Sequence, residues 1–302
     1  MKVLITGATG MIGQELVGQC HALGYEVHYL TTRKEKIEQS DHYKGFLWNP
    51  IEGTIDTKCF DDVEVIINLA GSTIAKRWTK TYRKEILSSR LLSLNLLSRS
   101  LRGMSHSVRH LVSASAIGIY PDSFMNYYTE ESTEQDTGFL CTVVRDWEAA
   151  ADQFQKLNIE VAKIRIGLVL SANGGAYPKM AKPIKMGLGA IFGSGKQWQS
   201  WIHVNDVSKI FVHAVREELV GTYNAVAPNA VSNTTLTICI AKMFGKKIRL
   251  PGIPKFVMRL LLGKMHILLY GSQRVSSKKI QDSGYLFEFE NLKPALEAIT
   301  KK

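Results

Sequence analysis

Thr6-Gly7-Ala8-Thr9-Gly10-Met11-Ile12-Gly13 stands between the apolar run Val3-Leu4-Ile5 and a helical pattern from Ile12 to Leu23 that Gly24 closes. The run reads as a buried strand and the pattern as a helix, so the glycines occupy the first strand-to-helix turn. Each has a physical task there. Gly7 permits the tight turn, Gly10 lets the backbone approach a pyrophosphate, and Gly13 lets helix and strand pack closely. The helix N-terminus then presents unpaired N–H groups to the anion. Thr9, Met11 and Ile12 fall in the same turn and join the glycines as candidate cofactor contacts. The position of the motif, more than its spelling, carries the reading.

The alternation continues outward. Val27 to Leu30 reads as a second strand, Val63 to Leu69 as another, Thr79 to Leu101 as a long helix, His110 to Ser113 as a strand, Leu140 to Leu157 as a helix and Val161 to Ile164 as a strand. Such alternation implies an α/β fold of Rossmann type, a doubly wound parallel sheet with helices on both faces. After about Leu170 the pattern changes, with glycines at 174, 175, 187, 189, 193 and 195 and short elements at 205–216, 234–244 and 255–262. We therefore expect a dinucleotide-binding domain over residues 1–170 and a smaller α+β substrate lobe over 171–302, partly interleaved.

The second strand ends in Thr31-Thr32-Arg33-Lys34. An acid at this place binds the ribose hydroxyls of NAD, whereas a hydroxyl followed by two cations suits a 2′-phosphate. Thr32, Arg33 and Lys34 therefore favour NADP(H). A second glycine pattern, Gly193-Ser194-Gly195-Lys196, is not a nucleoside-triphosphate loop: Ala190 and Gln197 occupy the positions that need Gly and Ser or Thr.

The 302 residues are 45% hydrophobic and 22% charged, which excludes a disordered chain and allows a sizeable core. Cys20, Cys59, Cys141 and Cys239 are widely spaced, with no C-x-x-C pair, so neither a disulfide framework nor a zinc site is expected. The apolar run at the start is too short for a signal peptide. The stretch Phe256 to Tyr270 is interrupted by Arg259, Lys264 and His266 and falls short of the roughly 20 residues of a spanning helix. A cytoplasmic protein with no membrane partner is expected. The formal charge of +11 is uneven: residues 1–150 carry 16 Lys+Arg against 18 Asp+Glu, residues 151–302 carry 22 against 9. The second half points to an anionic substrate or acidic partner. Its cations, such as Lys179, Lys182 and Lys185, are scattered without interleaved aromatics, so no nucleic-acid partner is expected.

These features, with Asn68-Leu69-Ala70-Gly71, Ser113-Ala114-Ser115-Ala116 and Trp201-Ile202-His203-Val204-Asn205-Asp206, resemble the extended short-chain dehydrogenase/reductases, the NAD(P)-dependent epimerase/dehydratase family. Arg77-Trp78, Ser89-Arg90, Trp147-Glu148-Ala149-Ala150 and Ser200-Trp201 further resemble an epimerase-like branch without an established reaction. The resemblance implies that Leu69, Ala70 and Gly71 pass the adenosine side of the cofactor, and that Glu85 and Arg90 on the next helix reach it, Arg90 toward phosphate.

In that family a Tyr-x-x-x-Lys pair exchanges a proton with the substrate as hydride moves. No tyrosine of this chain has Lys four residues later; aligned on Glu148, the two positions become Leu140 and Val144. Ser113 or Ser115 falls at the family's catalytic-serine location. Tyr120, Cys141 and Arg145 are the substitute proton-transfer candidates, with Lys76, Arg77 and His203 on an opposing wall and Asp206 as a helix N-cap. Two readings follow: an NADP(H)-dependent oxidoreductase or epimerase acting on a small polar or anionic substrate through non-standard residues, or a catalytically silent NADPH-binding sensor or interaction module. An oligomer is compatible with both.

Overall fold

The structure, a computed structural model, describes residues 1–301. Seven strands pair in parallel: β1 (Lys2–Thr6), β2 (Glu26–Thr31), β3 (Tyr43–Asn49), β4 (Val65–Asn68), β5 (His110–Ala116), β6 (Glu160–Ile166) and β7 (Gly221–Ala225). Their spatial order is 3-2-1-4-5-6-7, so the chain reverses direction across the sheet between β1 and β4. Short strands at Gln39–Ser40 and Thr54–Ile55 pair antiparallel with β3. The doubly wound parallel fold is the one the alternation implied.

Strands covered on both faces lose their polar alternation, and Val3, Leu4 and Ile5 are accordingly buried without exception. Helices α1 (Met11–Ala22), α2 (Lys80–Arg102) and α3 (Phe139–Asp152) follow in sequence. Crossovers of one hand running outward in opposite directions from β1 and β4 place their helices on opposite faces. Thus α2 packs on α3 on one face and α1 lies on the other; α5 (Val204–Arg216), preceded by α4 (Tyr177–Lys185), packs on α1 although its crossover from β6 to β7 runs in the same direction as those of α2 and α3.

A second core joins α4, α6 (Asn233–Met243) and the C-terminal helix Leu292–Lys301 through Tyr177, Ile184, Trp201, Leu236, Ile240 and Leu296. Here Leu168–Ser171 pairs in parallel with Trp201–His203. An eight-residue helix, α7 (Lys255–Leu262), lies farther out.

Several elements depart from the sequence reading. Strand β3, with Gly45 under the Tyr29 ring, and β7, spelled Gly-Thr-Tyr-Asn-Ala, lack a clear strand pattern. The helix expected over 140–157 is α3 followed by a tight turn over Gln153–Leu157, stopped by Asn158 at φ +58. Asp206 is not an N-cap. The cap of α5 is His203, whose ring accepts from the Asn205 N–H. Buried Asp206 instead accepts from Tyr285 Oη and from the Glu288 and Phe289 N–H groups, tying the C-terminal segment to α5. Burial raises its pKa against those hydrogen bonds. Among the described residues no helix is long and apolar enough to cross a membrane, and no cluster of His, Cys, Asp and Glu has the makings of a metal site.

Candidate active site

At the carboxyl ends of β1 and β4, where strand order reverses, a cleft of about 890 Å³ opens. Such a switch point leaves a crevice because the two crossovers diverge. Gly7, Gly10, Met11, Ile12 and Gly13 form its floor, and Leu69, Gly71 and Arg90 its next wall.

Gly7 takes φ +73, and its carbonyl accepts from the Gly10 N–H at 2.9 Å. A Cβ on Gly13 would lie 2.2 Å from that carbonyl oxygen, and one on Gly7 3.0 Å from the Leu69 backbone. Gly10 caps α1 without any side-chain acceptor. The first N–H groups of the helix therefore have no internal partner, and the first turn holds no acid to compete with an anion. Thr9 is exposed beside this turn.

Thr6 fixes the facing strand. Its Oγ1 donates to Asn68 Oδ1 at 2.8 Å and accepts from the Leu69 and Ala70 N–H groups, while Asn68 Nδ2 donates to Ser113 Oγ at 3.1 Å. Ser113 is thereby a buried tie between β4 and β5, outside the cleft lining.

Pairing of Thr6 with Leu30 brings the end of β2 one strand from the glycine turn. Thr32, Arg33 and Lys34 are exposed there, and neither cation has an ion-pair partner among the described residues. Arg90 lies beneath Gly71: its Nη1 donates to the Ser72 and Ile86 carbonyls, its Nε has no acceptor, and its guanidinium stacks 4.8 Å from the Trp147 ring. Among the described residues no carboxylate pairs with it, and burial lowers its pKa to about 10. Glu85 does not line the cleft; it accepts from Ser72 Oγ at 2.9 Å and so braces the loop after β4.

The far end is bounded by Ala114 to Gly118, then Leu140, Val143 and Val144 of α3, and by Trp198, Gln199, Gln273, Ile267 and Tyr270 across the gap. Leu140 and Val144 present hydrocarbon where the resemblance places Tyr and Lys. Ser115 lines the cleft, yet its hydroxyl donates to Glu148 Oε1 at 2.6 Å. Glu148 in turn holds Arg165 through two bonds of 2.8 and 2.9 Å. Burial would raise the Glu148 carboxyl, but Arg165 outweighs it and holds the group below its ordinary value.

Tyr120, Cys141 and Arg145 lie outside the cleft lining. Tyr120 is buried between Arg165 Nη1, which donates to its Oη at 3.0 Å, and Asn224 Oδ1, to which it donates at 2.8 Å. Burial raises the pKa of both Tyr120 and Cys141. Arg145 is exposed and pairs with Asp146. Lys76 and Arg77 are exposed on the loop before α2, and His203 is buried at the α5 cap. The sequence reading missed Arg165, although a cation within the apolar strand β6 is itself a sign of a buried counter-charge.

A family model described as the NAD dependent epimerase/dehydratase family matches residues 3–225, and one described as a domain of unknown function matches residues 253–299. An epimerase family protein of Staphylococcus aureus is 34% identical over 302 residues, covering 100% of this chain and 99% of the relative. Human epimerase family protein SDR39U1 (isoform 2), solved with NADPH, is 29% identical at a TM-score of 0.85, covering 100% of this chain and 99% of that one. UDP-glucuronic acid 4-epimerase from Bacillus cereus, solved with UDP-glucuronic acid and NAD, shares the fold at a TM-score of 0.80 and 16% identity, over 100% of this chain and 98% of that one.

Proposed function

Because the chain belongs to the NAD dependent epimerase/dehydratase family, we propose that its cleft binds NADP(H) and serves oxidoreductase or epimerase chemistry on a small polar or anionic substrate without the usual Tyr-x-x-x-Lys pair. The observation that carries the cofactor reading is the uncapped α1 N-terminus over Gly7, Gly10 and Gly13, one strand from Arg33 and Lys34, which have no ion-pair partner among the described residues. Backbone N–H groups there hold a diphosphate, and Thr32, Arg33 and Lys34 hold a 2′-phosphate. Arg90 adds a cation without a carboxylate partner among the described residues. The NADPH of the human relative supports the same choice.

When bound, the nicotinamide supplies or accepts hydride. The protein's own part is to hold, exclude water and manage a proton. Leu140, Val143, Val144 and Ile117 give the far end an apolar wall, facing the polar Gln199 and Gln273. Ser115, with its proton directed to Glu148, offers its oxygen as an acceptor for a substrate hydroxyl. Arg165 holds Glu148 ionised and below its ordinary value, which makes it a weak base toward the Ser115 proton. That same engagement of Ser115 and Tyr120, with hydrocarbon at positions 140 and 144, favours the second reading, an NADPH-binding sensor or interaction module.

Titration with NADPH and NADH tests the cofactor. NADPH binds at least about tenfold more tightly, one charge-assisted phosphate contact being worth roughly 1.5–3 kcal/mol, and Arg33→Ala removes most of the difference. Equal affinities in the parent protein would sink the assignment. Loss of deuterium from NADPH labelled at C4, on incubation with carbonyl compounds and nucleotide sugars, separates the readings: turnover to a defined product excludes the silent module.

A further inference from the structure

From Leu219 to Gln281 the chain holds ten Lys and Arg and no Asp or Glu, and from Val161 to Asn205 it holds six and none. Parts of the two stretches run side by side on one face, whereas Lys163 and Arg165 lie on β6 and pair with Asp152 and Glu148. The Ile253 N–H donates to the Ile191 carbonyl at 2.8 Å, and a Cβ on Gly189 would lie 2.7 Å from Ile184 and 2.9 Å from Ile248. Residues 184–193 and 248–256 therefore run side by side and carry α7 at their edge.

This face is also apolar. Phe256 is 73% exposed, Leu260 82% and Leu261 61%, and no residue from Lys255 to Tyr270 is buried. Phe256 and Leu260 are four positions apart and share one side of α7. Lys246, Lys247 and Arg249 precede them in the chain, Arg259 lies between them and Lys264 follows, none with an ion-pair partner among the described residues. Met186 and Leu188 stand exposed beside Lys182 and Lys185 on the adjoining stretch. Exposed apolar groups in such number mark a contact surface.

We propose that this face, centred on α7, docks on an anionic lipid bilayer. Phe256, Leu260 and Leu261 lie outside the cleft lining and project from a helix amid cations, the arrangement by which an interfacial helix seats its apolar side among acyl chains while Lys and Arg meet the headgroups. The absence of acids from both stretches removes the repulsion that an anionic surface would otherwise exert. A helix lying on a bilayer needs none of the length that spanning demands, so the lack of a spanning helix among the described residues does not bear on it; the contact does run against the expectation of no membrane partner, which rested on the shortness of the apolar runs.

Co-sedimentation of the full chain with vesicles tests it, using phosphatidylcholine alone or with about one-third phosphatidylglycerol. Partition is at least about tenfold greater on the anionic vesicles and is lost at high salt, since each cation near the surface contributes about fivefold. Phe256→Ser with Leu260→Ser lowers it about tenfold, and Arg259→Gln with Lys264→Gln lowers it as well. NADPH affinity, unchanged in these variants, shows that the fold is intact. Equal partition on both vesicle types, no partition on either, or partition indifferent to Phe256→Ser with Leu260→Ser would overturn the proposal. So would a dimer in solution that the same pair of substitutions dissociates, or binding of polyglutamate without binding of vesicles.

Discussion

Gly13 is where the backbone leaves least room. A methyl there must displace the Gly7 carbonyl, 2.2 Å away, or the Ala8 backbone at 2.7 Å. Gly13→Ala is therefore expected to cost about 1–3 kcal/mol of stability and to weaken NADPH binding, read by urea unfolding and by titration. An unchanged affinity would mean that the turn is not the anion site. The purpose of this glycine was legible from its place between strand and helix alone. Ser113, Ser115 and Tyr120 show the opposite case. Sequence order put them near the reacting end, but whether a hydroxyl is free depends on partners 33 to 104 residues away, Glu148 and Asn224 among them. The role of Asp206 was hidden for the same reason, since its partners Tyr285, Glu288 and Phe289 lie 79 to 83 residues on.

Between elements, α3 and β6 are joined by the Glu148–Arg165 pair, whose side chains are each only 10% exposed. Removing one member strands the other in a site of low dielectric. Arg165→Met should cost about 3–5 kcal/mol, and Glu148→Gln in the same chain should recover part of that loss; denaturant unfolding measures both. Additive losses would mean that the two side chains do not act as a pair. Strands β1, β2, β4, β5 and β6 were readable because their apolar runs are buried on both faces. Strands β3 and β7 were not, because one lies near the sheet edge and the other mixes Gly, Thr and Asn with its apolar residues. The bounds of α7, Lys255–Leu262, were readable as those of a short element, but neither its helical type nor its exposure was, since sequence alone does not say whether anything covers its apolar residues.

Across the whole molecule the charge divides as the sequence divides. The glycine turn offers backbone N–H groups at the uncapped α1 N-terminus, whereas the acid-free stretches supply side-chain cations to α4, α6 and α7. Stability also has a pH dependence with a definite sign. Burial lowers the pKa of His28, His110 and His213 below the ordinary 6.5. The unfolded chain takes up their protons first, so their contribution is present above pH 6.5 and falls as pH drops through the folded values. Unfolding midpoints are expected to decline from pH 7 toward pH 5, less steeply in His110→Asn; a midpoint that rises over this range would contradict the assignment. The most direct test of the dinucleotide site is a crystal structure with NADPH. The expected result has the diphosphate over Gly10 and Met11 at the start of α1, and the 2′-phosphate within hydrogen-bond reach of Arg33 or Lys34. A dinucleotide bound away from the glycine turn, or a 2′-phosphate with no contact to the end of β2, would contradict it.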